Sequence, residues 1–180
     1  MNRFLVFSLV VLMLVAMLAG CKANEQDGVM DESSLLDRKA SKFTSADTGI
    51  EIQASSTNSK YPLANLMDGK DNTAWVAGNQ GSGAGEYLMI NFASPRQVGV
   101  LKLVPGYNKN NDIWFANNRL QEIELEYSDG STQRAGFDGS QRSYRINIGK
   151  AGVQWIRLNI LQTYPGERWA DTCISELGFE

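Results

Sequence analysis

Hydrophobic and polar positions divide this 180-residue chain into three textures. From Phe4 to Leu18 no charged residue interrupts a strongly apolar run. Residues 22–48 are polar and mixed in charge, with Leu35, Leu36 and Phe43 as the apolar exceptions. From Gly49 onward short runs alternate with period two, the spacing at which one face of a strand is apolar and the other wet. Ile123, Leu125 and Tyr127 oppose Glu122, Glu124 and Glu126, and Ile156, Leu158 and Ile160 oppose Trp155, Arg157 and Asn159. Leu88, Ile90 and Phe92 form a third such face, and Tyr144, Ile146 and Ile148 a fourth. Further strands are expected over 50–55, 98–104, 132–137 and 174–179, with a brief helix over 63–67. Asp129-Gly130 sits between two alternating runs, a hairpin signal because both turn positions tolerate positive φ.

About eight antiparallel strands, each apolar on one face, predict an all-β sandwich in which two sheets bury those faces against each other. The polar loops 71–85 and 106–118 are expected at its ends, where loops carry function on a rigid scaffold. Roughly 130 residues from 49 to 180 suffice for one domain with a sizeable core. Residues 21–48 read as a tether, with a short helix around Ser33 to Lys42.

The N-terminal run has a positive start at Arg3 and closes on Leu18-Ala19-Gly20-Cys21. This resembles the lipobox of bacterial lipoproteins, in which residues 1–20 are a signal peptide and the cysteine thiol receives a diacylglycerol. An uncleaved anchor is the alternative, but the run is shorter than the ~20 residues that span a bilayer and leaves the cysteine unexplained. The expected location is the bacterial cell envelope, with a membrane held through lipid on Cys21. Lys22 after the cysteine favours the outer membrane of a two-membrane cell, by the sorting rules of such lipoproteins.

Charge and composition narrow the chemistry. The chain carries a net charge of −3, and losing the leader, whose only charge is Arg3, leaves −4. No basic patch stands out, so nucleic acid is not an expected partner. The absence of histidine removes the commonest general base and the commonest transition-metal ligand. Cys173 is left alone once Cys21 is lipidated, and reads as a small buried apolar residue. Gly81, Gly83 and Gly85 precede a strand rather than a helix, against a phosphate cradle. No carboxylate pair stands out for acid–base work, so no catalysis is expected.

The run from Ala64 to Trp75, with Asp68-Gly69, Thr73 and Trp75, resembles the early loop of galactose-binding-like, discoidin-type jelly rolls. Gly85-Glu86-Tyr87-Leu88-Met89-Ile90-Asn91-Phe92 matches their next strand. Gly106-Tyr107-Asn108-Lys109, Asn117-Asn118-Arg119 and the ending Asp171-Thr172-Cys173-Ile174-Ser175-Glu176-Leu177 are similar to a narrower branch. That branch is the glycan-binding domain first named for bacterial NAD-glycohydrolase toxins, and the likeness runs from Tyr61 to Glu180. It implies a jelly-roll fold and a non-catalytic carbohydrate-binding module. These residues include no NAD-glycohydrolase region, so the toxin's activity is not carried over, and Pro105 stands where the pattern expects asparagine. The resemblance also implies a structural calcium held by Asp68, Asp71, Thr73 and Glu176. Simple capping of the loop by its aspartates is the competing reading.

Tyr107, Trp114, Phe115, Tyr164 and Trp169 fall in polar loops, beside Asn108, Lys109, Asn117 and Arg119. Sugar rings stack an apolar face on aromatic rings while their hydroxyls need amide and cationic partners. As a group these residues read as a glycan site, for an envelope polysaccharide or another glycan. Each taken singly also reads as loop packing. A protein partner is the alternative, and a lipid surface met by Trp114 and Phe115 a third.

Overall fold

A computed structural model describes residues 41–180. The apolar run, Cys21 and the greater part of the expected tether and its helix lie outside the described residues.

The chain order is β1 (Ser41–Ser45), β2 (Ile50–Ala54), a 3-10 helix (Leu63–Met67), β3 (Trp75–Val76), β4 (Tyr87–Val104), α1 (Asn111–Ala116), β5 (Arg119–Tyr127), β6 (Thr132–Gly136), β7 (Tyr144–Tyr164), β8 (Cys173–Ile174) and β9 (Glu176–Phe179). Seven strands form one antiparallel sheet in the order β1-β2-β4-β7-β5-β6, with β9 added to β4. β3 and β8 make a separate two-stranded ladder. The alternation read from the sequence is the alternation of burial: Ile123, Leu125, Ile156, Leu158 and Ile160 are all fully buried. The Asp129-Gly130 hairpin is closed by Tyr127 and Ser131, with Gly130 at φ 79°. Outside that hairpin's core face, Arg134 pairs with Glu122 and Glu124, the charges expected on the wet side.

β4 and β7 each unite two of the expected strands. In β4 the inward set changes phase, from Leu88, Ile90 and Val98 to Leu101 and Leu103. A single bulge accounts for it: the Gly99 and Val100 N–H groups both donate to the Glu180 carbonyl, at 2.6 and 2.9 Å. One extra residue reverses which side chains face the core and bends the strand. In β7 the corresponding bend contains Gly149 and Gly152, both at positive φ, where other residues are strained. The two long strands therefore serve both layers of a β-sandwich, and one apolar cluster joins residues from both halves of each.

Two expectations change. β1, inside the stretch assigned to the tether, belongs to the folded sheet, because Phe43 lies opposite Ile52 and packs on the core. Ser41 and Lys42, expected in a helix, belong to this strand. Trp155, outward by alternation, sits on β7 between β4 and β5, opposite Asn91.

Candidate functional site

The loops after β4 and after β7 meet at one end of the sandwich, and a helix that the amide-rich sequence conceals organises them. Asn110 caps α1 by accepting from the Ile113 N–H at 2.8 Å, and Asp112 lies in the first turn, where a carboxylate suits the helix dipole. Trp114 and Ala116 turn into the protein, and Phe115 turns out. Gly106 lies beneath: a Cβ there would come within 2.8 Å of both the Trp114 ring and the Arg119 stem. No other residue permits that approach without displacing one of them.

Ile113 on α1 and Asn117, the residue that ends it, form one wall of a pocket of about 190 Å³. Tyr61, Tyr107, Val76, Trp169 and Asp171 supply the rest. Tyr61 and Tyr107 meet edge to face with centroids 5.9 Å apart, and rest on buried Val76 and Cys173. Burial raises the Tyr107 hydroxyl above its ordinary range, with Tyr61 and Cys173 adding to it, so the phenol stays protonated and can both donate and accept. Asn117 donates through Nδ2 to the Ile113 carbonyl, which fixes its amide in the wall. Trp169 is 46% exposed, a large ring facing water. Buried Asn118 anchors this loop: its Oδ1 accepts from the Gly166 N–H at 2.7 Å, and its Nδ2 donates to the Gly81 carbonyl.

The residues singled out for a glycan therefore divide. Tyr107, Asn117 and Trp169 line the pocket. Asn108 braces the loop, donating its N–H to Ser175 and its amide to Asp71. Lys109 is exposed at the adjoining tip. Trp114 is 1% exposed, which removes it both as a stacking platform and as a wedge for lipid. Its indole instead carries two guanidiniums, those of Arg119 and Arg142. Tyr164 belongs to this second group, beside Arg119, and donates its hydroxyl to the Phe137 carbonyl. Tyr61, Ile113 and Arg142 went unread. Tyr61 precedes the 3-10 helix, far from the other residues in sequence, and its carbonyl accepts from the Val76 N–H of β3, which holds it at the pocket.

The expected calcium ligands divide as well. Asp68, Thr73 and Glu176 converge: the Thr73 hydroxyl lies 2.9 Å from Asp68 Oδ2, and the Lys70 N–H donates to both carboxylates. Asp71 turns away to Asn108. Burial, and the Asp68 carboxyl beside it, push the Glu176 carboxyl up to about 7. Two adjacent carboxylates and a hydroxyl are hard oxygen donors of the type calcium takes, though among the described residues no three acidic side chains are grouped to share an ion.

Two further residues settle structural roles. Glu86 is buried and accepts from Ser55, Ser56 and Asn79, tying three loop segments together. Cys173 is fully buried and burial drives its thiol pKa far upward, so it packs as an apolar residue.

The model of the NAD glycohydrolase translocation F5/8 type C domain matches residues 39–180. No curated protein sequence matches the chain. Among solved structures, the fold is similar to part of the mycobacterial arabinofuranosyltransferase AftD, at 18% identity and a TM-score of 0.58 over 79% of this chain. The chain corresponds to only 11% of that protein's length. The third CBM32 domain of a family 31 glycoside hydrolase from Clostridium perfringens aligns over 70% of this chain and 86% of its own, at 17% identity and a TM-score of 0.55. The CBM32 domain of AlyQ, solved with 4,5-unsaturated mannuronic acid, aligns over 72% and 92%, at 17% identity and a TM-score of 0.52. At these identities the likeness is one of fold.

Proposed function

The chain belongs to the family of NAD glycohydrolase translocation F5/8 type C domains, and from that membership we propose that it is a non-catalytic module binding a carbohydrate in the Tyr61–Tyr107–Trp169 pocket. The pocket carries the proposal. Three aromatic side chains offer faces to a sugar's C–H surface, and Asn117 and Asp171 offer acceptors and donors to its hydroxyls. Its volume of about 190 Å³ suits one or two sugar rings more than a protein side, which needs a broad face. The AlyQ domain, which shares this fold, was solved with an unsaturated uronic acid bound.

The envelope setting is part of the same reading: Cys21 is the lipidated residue, and the sandwich is displayed at a bacterial membrane. A structural calcium at Asp68 and Glu176 is proposed with it, supplying a divalent charge that relieves the paired carboxylates and ties β9 to the loop after the 3-10 helix.

Screening the full chain on an array of bacterial and host glycans tests the reading. Saturable binding that Trp169→Ala weakens is the expected result. A bound partner that proves to be a protein, with no glycan retained, would overturn it.

A further inference from the structure

On the other side of α1 from the pocket, the structure brings together two arginines that form no ion pair among the described residues. The Arg142 guanidinium lies 4.2 Å over the Trp114 ring and 5.5 Å from Phe115. The Arg119 guanidinium lies 4.9 Å over the same Phe115, 5.6 Å from Tyr164 and 5.9 Å from Trp114. Two cations thus share one aromatic bed. Arg96 and Arg157 also lack an ion pair there, but each of those stacks alone on one ring, Phe92 and Tyr87, whereas Arg119 and Arg142 share theirs.

Two of the surrounding acids are committed elsewhere. Asp112 bonds Arg168, and Asp138 accepts from Ser140 and Tyr144. Glu167 acts on Arg119 only at a distance. Arg142 makes one bond, Nη2 to Asn111 Oδ1 at 2.6 Å, and its Nη1 is buried without a partner, as is Arg119 Nε. Burial lowers both guanidiniums from their ordinary range, and Arg119 lowers Arg142 further, so the pair is desolvated and self-repelling. Aromatic stacking holds the rings in place but satisfies none of the in-plane N–H groups. An oxyanion between them would neutralise the repulsion and accept those donors in the forked geometry that guanidinium favours.

We propose that Arg119 and Arg142 form a seat for the carboxylate or sulfate of an acidic glycan whose neighbouring ring occupies the Tyr61–Tyr107–Trp169 pocket. The inference rests on the glycan reading and gives it a charge class. The two guanidiniums and the pocket lie on opposite sides of one short helix, so a ligand engaging both spans more than one sugar unit.

The test follows arginine Nε–Hε and tryptophan indole NMR signals of the full chain. It is titrated with sodium glucuronate, sodium sulfate and glucose at one ionic strength. Saturable movement of the Arg119 and Arg142 signals with either anion, absent with glucose, is the expected result. Glucuronate without sulfate assigns the seat to uronates, and sulfate without glucuronate to sulfate esters. In Arg142→Gln the anion affinity read at Arg119 should fall about tenfold, one charge-assisted bond's worth. No movement of either arginine signal with both anions overturns the proposal, whether or not the variant folds. Movement of the Trp169 indole with glucose while the arginines stay still would leave the glycan pocket standing and the anion seat refuted. Arginine movement with an inert Trp169 would do the reverse.

Discussion

The sandwich and its loop end are built on different physical terms. In the β4–β7–β5 layer, Leu88, Ile123, Ile156 and Leu158 are buried by the repetition of one rule, alternate apolar residues on adjacent strands. Each contributes through area, and neighbours on either side share the same job. At the loop end each residue depends on one particular partner: Gly106 on Trp114 and Arg119, Gly166 on Asn118, Asn108 on Ser175. The first region holds the fold, and the second positions chemistry. A change in the sheet should therefore cost stability without altering ligand choice, and one in the loops should alter binding at a smaller cost in stability.

The largest effect expected is in the sheet. Leu158→Ala removes a fully buried side chain at the centre of the layer and should lose about 2–5 kcal/mol in urea unfolding. The folded fraction should retain its ligand. At the loop end, a Cβ on residue 166 would lie 2.4 Å from the Trp169 carbonyl and 2.5 Å from that of Ala116, both backbone atoms. Gly166→Ala should cost about 1–3 kcal/mol by overpacking and move Trp169, so glycan affinity falls even in the folded protein.

Asn118→Ala separates the regions more finely. It strands the Gly166 N–H and the Gly81 carbonyl, a loss of about 1–3 kcal/mol if either stays buried. Trp169→Ala should cost about 1 kcal/mol or less, well below Leu158→Ala, because nearly half of the residue is exposed. Its glycan affinity should nevertheless drop, by isothermal titration. If instead Trp169→Ala unfolds the chain, the division between the regions is wrong.

A separate effect is one of pH. The folded Glu176 carboxyl is held near 7, above its ordinary 4.5, so the folded state takes up a proton that the unfolded state has already released. In chelator, stability from this group is present in full below pH 4.5 and is lost as pH rises through 7. Glu176→Gln should flatten that slope in thermal melts. Added calcium should raise the melting temperature most at the high-pH end, and no calcium effect at any pH would refute the proposed ion.

Most of the sandwich was legible because strand periodicity is local: Ile123, Leu125 and Tyr127 face inward for the same reason wherever the strand lies. The junctions were not. Exposed residues 93–97, with Pro95 among them, interrupt the apolar pattern, so β4 reads as two strands, and nothing in 98–104 says that Gly99 and Val100 share the Glu180 carbonyl. β1 was hidden because Phe43 is its single apolar residue, and its neighbours are serine, lysine and threonine. Helix α1 left one local sign, Asn110 followed by Asp112, in a stretch whose amides otherwise suggest a loop.

The sequence by itself determined the class of fold, the family and the chemical kinds gathered in the loops, since side-chain period and turn chemistry act over a few residues. Only the tertiary structure decided which of those residues meet. Tyr61, Tyr107, Asn117 and Trp169 share a pocket, and Trp114 leaves it to bed Arg119 and Arg142. Such convergence depends on strand register and on the bulge in β4, which bring segments far apart in sequence to one end of the sandwich. No local pattern encodes the sum of those displacements.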